Sequence, residues 1–168
     1  EAFNRKFVDE NSIRLYMVSN PKKITVKNLS ITTVEVSNHP VKEMGKRKID
    51  VDGNFYISGE DAQSIKEGEQ IRLLGLGNIL ITKQGEEIEG EYVKDGDIKS
   101  IPKIQWVSQK TAHKIKMIIP KILFIGEDFN EDSLEERDVY CEPHYLQLKD
   151  GEEIQFIRFG YCRKDSQN

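Results

Sequence analysis

The stretch NFYISGEDAQSIKEGEQIRLLGLGNILIT, residues 54–82, decides the fold class of this chain. Three of its segments are short and rich in β-branched and aromatic residues, which predicts strands at 54–58, 70–75 and 78–82. Between the first two, Ser58 can cap a short helix that carries Asp61 in its first turn and ends at Gly68. The stretch therefore predicts a strand, one short helix and two further strands.

Segments of the same kind recur along the whole chain, separated by turn sequences such as VDGN, KQGEE and KDGD. They predict further strands at 13–18, 24–29, 32–37, 87–93, 103–108, 115–120, 144–148 and 153–162. The segment EDFNEDSLEERD, residues 127–138, is the least strand-like and predicts a long surface loop. So many short strands favour barrels over alternating helices and strands. We therefore predict an all-β fold of two small β-barrels packed together with one short helix, over 10–107 and 108–168, with terminal strands open to exchange between the barrels.

Length and composition suit a self-supporting intracellular domain. The chain has 168 residues and two cysteines, Cys141 and Cys162, which fit no dense disulfide framework and predict reduced thiols in a cytoplasmic protein. Apolar runs such as IKMIIP are far too short to span a membrane, and no secretory segment opens the chain. Because it starts at Glu1 without a methionine, we expect it to be part of a longer polypeptide.

Charge is unevenly distributed around a formal net charge of −4. Residues 21–48 contain seven basic and two acidic side chains, and residues 97–121 contain six lysines and one aspartate. Residues 126–142 instead contain eight acidic side chains and one arginine. This segregation is compatible with a positive face for a polyanion and a solvated acidic loop, or simply with a charged soluble surface.

Motifs for catalysis are absent from the sequence. LGLGN at 74–78 lacks the third glycine of a dinucleotide fingerprint, and the Walker, HExxH and GxSxG patterns do not occur. Cys141 and His144 have a ligand-like spacing that Cys162 or His113 could complete, so a zinc site stays open as a lesser alternative. We predict no catalytic residues and no metal ligands, and interpret the chain as a binding module.

Four blocks of sequence carry a family resemblance: NHPVKEMGKRKI (38–49), FYISGEDAQSIKEGEQIRLLGLGNILI (55–81), IPKIQWV (101–107) and QFIRFGYCRKD (155–165). In this order they resemble the C-terminal anticodon-binding region of archaeal and eukaryotic class I glutamyl- and glutaminyl-tRNA synthetases. The resemblance runs from about Asn4 to Asp165. The glutaminyl enzymes typically carry a basic insertion before the segment that matches QIRLL here. Its absence favours the glutamyl branch.

The resemblance implies two β-barrels attached to a catalytic domain that this chain lacks. The full-length enzyme would join glutamate to tRNA-Glu with ATP and Mg²⁺, whereas this part would need no cofactor. The implied partners are the anticodon loop of tRNA-Glu and the enzyme's own N-terminal catalytic domain, with no DNA and no membrane. Two alternatives stay open: a glutaminyl-tRNA synthetase anticodon domain, and a non-catalytic protein-interaction barrel.

The resemblance also implies the recognition residues. Gln155, Arg158 and Arg5 match family positions around the middle anticodon base, and Arg72 matches an arginine near the first base. Uracil presents two carbonyl acceptors around one N–H donor, which an amide and an arginine can satisfy. We expect further contacts to the RNA phosphates from the basic loop residues Lys42, Lys46, Arg47 and Lys48.

One difficulty accompanies this assignment, because residues three apart on a regular strand point to opposite faces. We therefore expect a bulge or an exposed strand edge at this point, and Gly160 favours a distortion of the backbone. Alternatively, Arg158 pairs with a carboxylate of the acidic loop. Trp106, in IQWV, is expected in the core, although Trp106 and Tyr161 could both stack on bases.

Overall fold

The computed structural model describes residues 8–94, 96 and 100–166, and confirms an all-β fold. Within these ranges there is one α-helix, α1 (Gly59–Ser64), and one 3₁₀ helix, η1 (Pro143–Gln147). The strands are β1 (Ile13–Leu15), β2 (Met17–Ser19), β3 (Lys22–Lys27), β4 (Thr33–Ser37), β5 (Lys46–Asp50), β6 (Asn54–Ile57), β7 (Gln70–Leu73), β8 (Gly77–Lys83), β9 (Ile88–Val93), β10 (Lys103–Ile104), β11 (Trp106–Ser108), β12 (His113–Pro120), β13 (Phe124–Ile125), β14 (Asp128–Phe129), β15 (Leu134–Cys141), β16 (Glu153–Phe156) and β17 (Gly160–Arg163).

The larger hydrophobic core lies on a seven-stranded sheet of order β10-β7-β8-β9-β3-β6-β11. Trp106 is fully buried in this core. Its ring and the ring of Phe55 pack edge to face, with 5.0 Å between the ring centroids. The indole Nε1 donates a hydrogen bond to the carbonyl of Leu74 at 2.8 Å, so burial leaves no unpaired donor there. The predicted core position of Trp106 is confirmed.

A smaller core lies between two three-stranded sheets, β12-β15-β2 and β1-β16-β17. Its fully buried members include Val139 and Cys141 on β15 and Phe156 on β16. Alternate residues of these strands point inward, as expected for sheets with one face on a core. Cys141, one of the two cysteines of the sequence, is the last residue of β15.

Residues 13–19 join the two cores. Residues 13–18 were predicted as one strand, but the segment forms two: β1 runs parallel to β16, and β2 runs antiparallel to β15. Leu15 and Met17 enter the smaller core, whereas Tyr16 and Val18 enter the larger one. Strands at the start of the sequence thus complete sheets formed near its end, and the division at 10–107 and 108–168 stays a prediction.

The acidic segment 127–138 was predicted to be a loop, and this prediction is wrong. It supplies β14 and most of β15, which pairs with β12 along eight residues. Cross-strand ion pairs join the two stretches of opposite charge: Lys114–Asp138 at 2.7 Å, Lys116–Glu136 at 2.7 Å and Lys121–Glu135 at 2.9 Å. Three of the six lysines of 97–121 therefore pair with acidic residues of 127–138 on one hairpin.

Two other sequence predictions fail for local reasons. Residues 144–148 were predicted as a strand but form most of η1, because Pro143 sits at the helix start, where its missing N–H costs nothing. Residues 46–50 were treated as part of a basic loop but form β5, paired with β4 from Lys46 to Asp50. In the part of the chain that the structure describes, no helix is long and apolar enough to cross a membrane.

Candidate nucleic-acid interface

The segment QFIRFGYC, residues 155–162, is a hairpin and not the single strand that was predicted. β16 ends at Phe156, β17 starts at Gly160, and the Phe159 N–H donates to the Phe156 carbonyl at 3.0 Å to close the turn. Arg158 lies in this turn with a φ of 64°, a left-handed conformation that is uncommon for arginine. The strand alternation that separated Gln155 from Arg158 therefore does not extend to Arg158.

Arg158 is held by the helix and not by the acidic loop. Its Nη1 donates to both carboxylate oxygens of Asp61 at 2.9 Å. Asp61 sits in the first turn of α1, where Ser58 caps the helix by accepting from the Asp61 N–H at 3.2 Å. The confirmed cap thus fixes the carboxylate that orients Arg158. The arginine side chain stays 49% exposed, so it can still meet a ligand.

Gln155 lies at the centre of a polar row on the outer face of the β1-β16-β17 sheet. Its Cα partners are Arg14 on β1 and Tyr161 on β17, and paired residues share a face. The opposite face carries Leu15, Ile154 and Phe156 into the smaller core. The half-buried Gln155 amide has no hydrogen-bond partner among the described residues.

Asp9 links the two neighbours of Gln155. Tyr161 Oη donates to Asp9 Oδ1 at 2.7 Å, and Arg14 Nη2 donates to the same oxygen at 3.0 Å. The hydrogen bond from Tyr161, together with the Arg14 guanidinium, lowers the pKa of the Asp9 carboxyl below its ordinary value. The sequence reasoning missed both Asp9 and Arg14. Arg5, the third predicted contact to the middle base, lies outside the described residues.

The loop before β5 is anchored on Asp9 through a buried histidine. His39 Nδ1 accepts hydrogen bonds from the N–H groups of Val41 and Lys42 at 3.2 and 2.9 Å. Since Nδ1 accepts, the proton sits on Nε2, which donates to the Asp9 carbonyl at 3.0 Å. The HP block of the sequence therefore has a structural role: it holds the basic loop beside the Asp9 segment.

Three of the four predicted phosphate contacts are exposed. Lys46 and Lys48 share the outer face of β5, and Lys42 lies in the loop before it. Lys42 and Lys46 have exposed acidic partners, at 2.9 Å from Glu10 and 2.7 Å from Glu35. Such exposed ion pairs are weak and do not prevent binding of a phosphate.

Arg47 is a correction to the predicted phosphate contacts, because it is buried and fully engaged. Its Nε and Nη2 donate to Glu142 at 2.5 and 2.8 Å, and its Nη1 donates to the carbonyl of Ser37 and to Asn38 Oδ1. Only 2% of the side chain is exposed. The alternation in KRKID carried the missed signal, since Arg47 shares the inward face with Ile49 while its lysine neighbours point outward.

Arg72 lies apart from this hairpin, on the seven-stranded sheet. Its Nη1 donates to Asn78 Oδ1 at 2.7 Å, and both residues line a surface pocket together with Tyr92 and Lys94. The Tyr92 ring packs onto Gly77, where an added Cβ would come within 2.6 Å of Tyr92 Cε2. An aromatic ring, a guanidinium and a lysine in one concave site suit a nucleotide, but the structure does not bring Arg72 together with Gln155.

The two cysteine thiols argue against the zinc alternative. Burial raises the pKa of the Cys141 thiol to about 12 and that of Cys162 to about 11, which opposes the thiolate that zinc requires. Among residues 8–94, 96 and 100–166, no group of three or more His, Cys, Asp or Glu side chains is placed to hold a metal ion.

The fold and the polar hairpin describe an all-β binding unit, and comparison with known proteins identifies its family. Residues 12–101 and 103–165 match two family models, each described as the anti-codon binding domain of class I (E and Q) tRNA synthetases. The chain therefore belongs to the anticodon-binding domains of the class I glutamyl- and glutaminyl-tRNA synthetases, and the resemblance drawn from the four blocks is confirmed.

Similar proteins favour the glutamyl branch over the glutaminyl alternative. The chain is 70% identical to a glutamate–tRNA ligase of Nitrosopumilus maritimus and 46% identical to one of Cenarchaeum symbiosum, in both cases over all of its length. It is 27% identical, over 99% of its length, to a glutamate–tRNA ligase of Methanocaldococcus jannaschii. The chain spans only 28 to 30% of the length of these relatives.

Proposed function

We propose that this chain is the anticodon-reading part of a glutamate–tRNA ligase, and that it binds the anticodon loop of tRNA-Glu. One observation supports this most directly: the half-buried Gln155 amide has no partner within 8–94, 96 and 100–166, and it precedes a turn that presents Arg158. A splayed base can meet both groups, because the chain reversal removes the constraint of strand alternation. The exposed Lys42, Lys46 and Lys48 would contact phosphates and fix the register of the loop.

Binding of RNAs that differ in one base tests this function. At one fixed salt concentration, we expect the chain to bind a tRNA-Glu transcript more tightly than the same transcript with the middle anticodon uridine changed to adenine. Loss of one good polar pair corresponds to about 1–3 kcal/mol, or roughly five- to a hundredfold in Kd. Equal Kd values for the two transcripts would refute base reading by this chain.

A substitution at Gln155 assigns the effect to the hairpin. Gln155→Leu keeps the size of the side chain and removes both the donor and the acceptor, so the two transcripts should then bind with similar Kd values. Gln109→Leu is the control, because the Gln109 amide already donates to the carbonyl of Phe55 at 2.9 Å. This control should leave the preference for uridine unchanged.

In the full-length enzyme, we infer that an N-terminal catalytic domain uses ATP and Mg²⁺ to activate glutamate in the cytoplasm. The β13–β14 hairpin is the surface that we assign to contact with that domain. It exposes Ile122, Leu123, Phe124, Ile125 and Phe129, an apolar patch that would be costly to leave in water. In the full-length ligase, Phe124→Lys should slow aminoacylation and leave the Kd for tRNA unchanged. An unchanged aminoacylation rate would refute this contact.

A further inference from the structure

The position of the Asp9 carboxylate follows from its two donors. Arg14 and Tyr161 flank Gln155 on the neighbouring strands, at about 4.8 Å to either side. Both donate to the same oxygen, Asp9 Oδ1, at 3.0 and 2.7 Å. Because Gln155 shares the outer face of the sheet with both of these residues, the oxygen that they both reach lies on that face. The carboxylate of Asp9 therefore belongs to the same polar row as the Gln155 amide.

The second oxygen of this carboxylate, Oδ2, is able to accept a hydrogen bond from a ligand. Asp9 Oδ2 has no hydrogen bond among the described residues, and the side chain is 35% exposed. Because the pKa of Asp9 is lowered by its hydrogen bonds, the group is an ionised acceptor near neutral pH and not a donor. The backbone of Asp9 is also held in place, since His39 Nε2 donates to the Asp9 carbonyl.

We propose that Asp9 is a specificity-determining residue that selects uracil over cytosine by accepting the uracil N3–H. This inference rests on the proposed reading of the middle base by Gln155. The edge of uracil presents an acceptor, a donor and an acceptor. The Gln155 amide and the Arg158 guanidinium would donate to the two carbonyl oxygens, and Asp9 would accept from the N3–H between them. Cytosine presents a donor, an acceptor and an acceptor, so its N3 lone pair would face the carboxylate. The pairing rejects cytosine because two acceptors cannot share a proton that neither carries.

The substitution Asp9→Asn makes a directional prediction. Arg14 and Tyr161 both donate to the Oδ1 position, so the asparagine carbonyl takes that place and its NH₂ group takes the place of Oδ2. An NH₂ group repels uracil N3–H and donates to cytosine N3. We therefore expect weaker binding of uridine and stronger binding of cytidine, with the preference for uridine reduced by about five- to a hundredfold.

The experiment measures the Kd of the wild-type chain and of D9N for two transcripts that have U or C at the middle anticodon position. The control variant is Glu10→Gln, which removes one negative charge next in sequence, where Glu10 pairs with Lys42 on the surface. Loss of charge alone raises affinity for both RNAs. In E10Q, therefore, the ratio of the two Kd values should not change.

The outcomes separate the two proposals. If the wild type prefers uridine and D9N keeps the same ratio, the role of Asp9 is overturned while the base reading stands. If the wild type binds both transcripts equally, both are overturned. Should D9N fail to fold, Tyr161→Phe removes one of the two donors to Oδ1, and it should reduce the preference several-fold. A preference in Y161F equal to that of the wild type would also overturn the role of Asp9.

Discussion

Two arginines connect the two cores of this protein, and they do so in opposite environments. Arg47 on β5 pairs with Glu142 at the start of η1, with 2% and 1% of the two side chains exposed. Arg158 in the β16–β17 turn pairs with Asp61 of α1, with 49% and 9% exposed. The first arginine has its donors engaged by protein and faces no solvent. The second donates through one nitrogen to Asp61, and among the described residues no other partner engages its guanidinium.

The comparison teaches that the same ion pair can serve architecture or recognition, and that burial decides which. Glu142 also accepts the Tyr16 N–H at 2.5 Å, so the Arg47 pair is part of a network that satisfies the backbone between the cores. The Tyr16 ring lies 5.3 Å from the Arg47 guanidinium carbon. Removing a member would leave charges and donors unpaired in the interior.

The largest effect is expected from Glu142→Ala. The substitution leaves the buried Arg47 guanidinium without its carboxylate and the Tyr16 N–H without its acceptor. The free energy of unfolding should therefore fall by about 3–5 kcal/mol. Urea unfolding followed by tryptophan fluorescence measures this, because Trp106 reports on the larger core. Glu35→Ala, which removes the exposed partner of Lys46, is the matched control and should leave the free energy of unfolding nearly unchanged.

A double substitution separates the ion pair from the space that it fills. Arg47→Met together with Glu142→Leu replaces both charges with apolar groups, and it should be more stable than Glu142→Ala alone. Recovery should be incomplete by about 1–3 kcal/mol, because the Tyr16 N–H stays without an acceptor. Urea unfolding of the two variants side by side measures the difference. A double variant no more stable than E142A would show that the pair has no desolvation cost to relieve.

Arg158→Ala should have the reverse profile. The pair is half exposed, so the free energy of unfolding should fall by no more than about 1 kcal/mol, while the preference for the middle uridine is lost. Arg158→Lys keeps the charge but lacks the planar set of donors, so it should recover affinity for both transcripts and little of the preference. A large loss of stability in R158A would place Arg158 with Arg47 as an architectural residue.

The smallest effects are expected from the exposed lysines of the basic loop. Lys48→Ala should weaken binding of both transcripts by the same factor and reduce the slope of log K against log salt by about 0.7–0.9. Binding measured at several salt concentrations tests this, with Lys110→Ala, far along the sequence, as the control. A change in the ratio between transcripts would mean that Lys48 reads a base and not a phosphate.

The sequence predicted the regular parts of this molecule well because they depend on local patterns. The Ser58 cap and the strands around it were correct, since capping and alternation are set within a few residues. The prediction of a loop at 127–138 was wrong because lysines on β12, which are distant in sequence, stabilise these acidic side chains in a strand. The prediction of one strand at 13–18 was wrong because the first half of the segment pairs with one sheet and the second half with another.

What the sequence determined by itself was the all-β class, the family, and the pair Gln155 and Arg158 as candidates for one base. The alternation in KRKID indicates the inward face for Arg47, but only the tertiary structure placed the Glu142 partner there and presented Arg158 in a turn, because partners depend on which sheets meet and not on residue type. It also brought Asp9 onto the Gln155 row across 146 residues of sequence, through strand pairing between the two ends of the chain. Long-range pairing of this kind has no local signature.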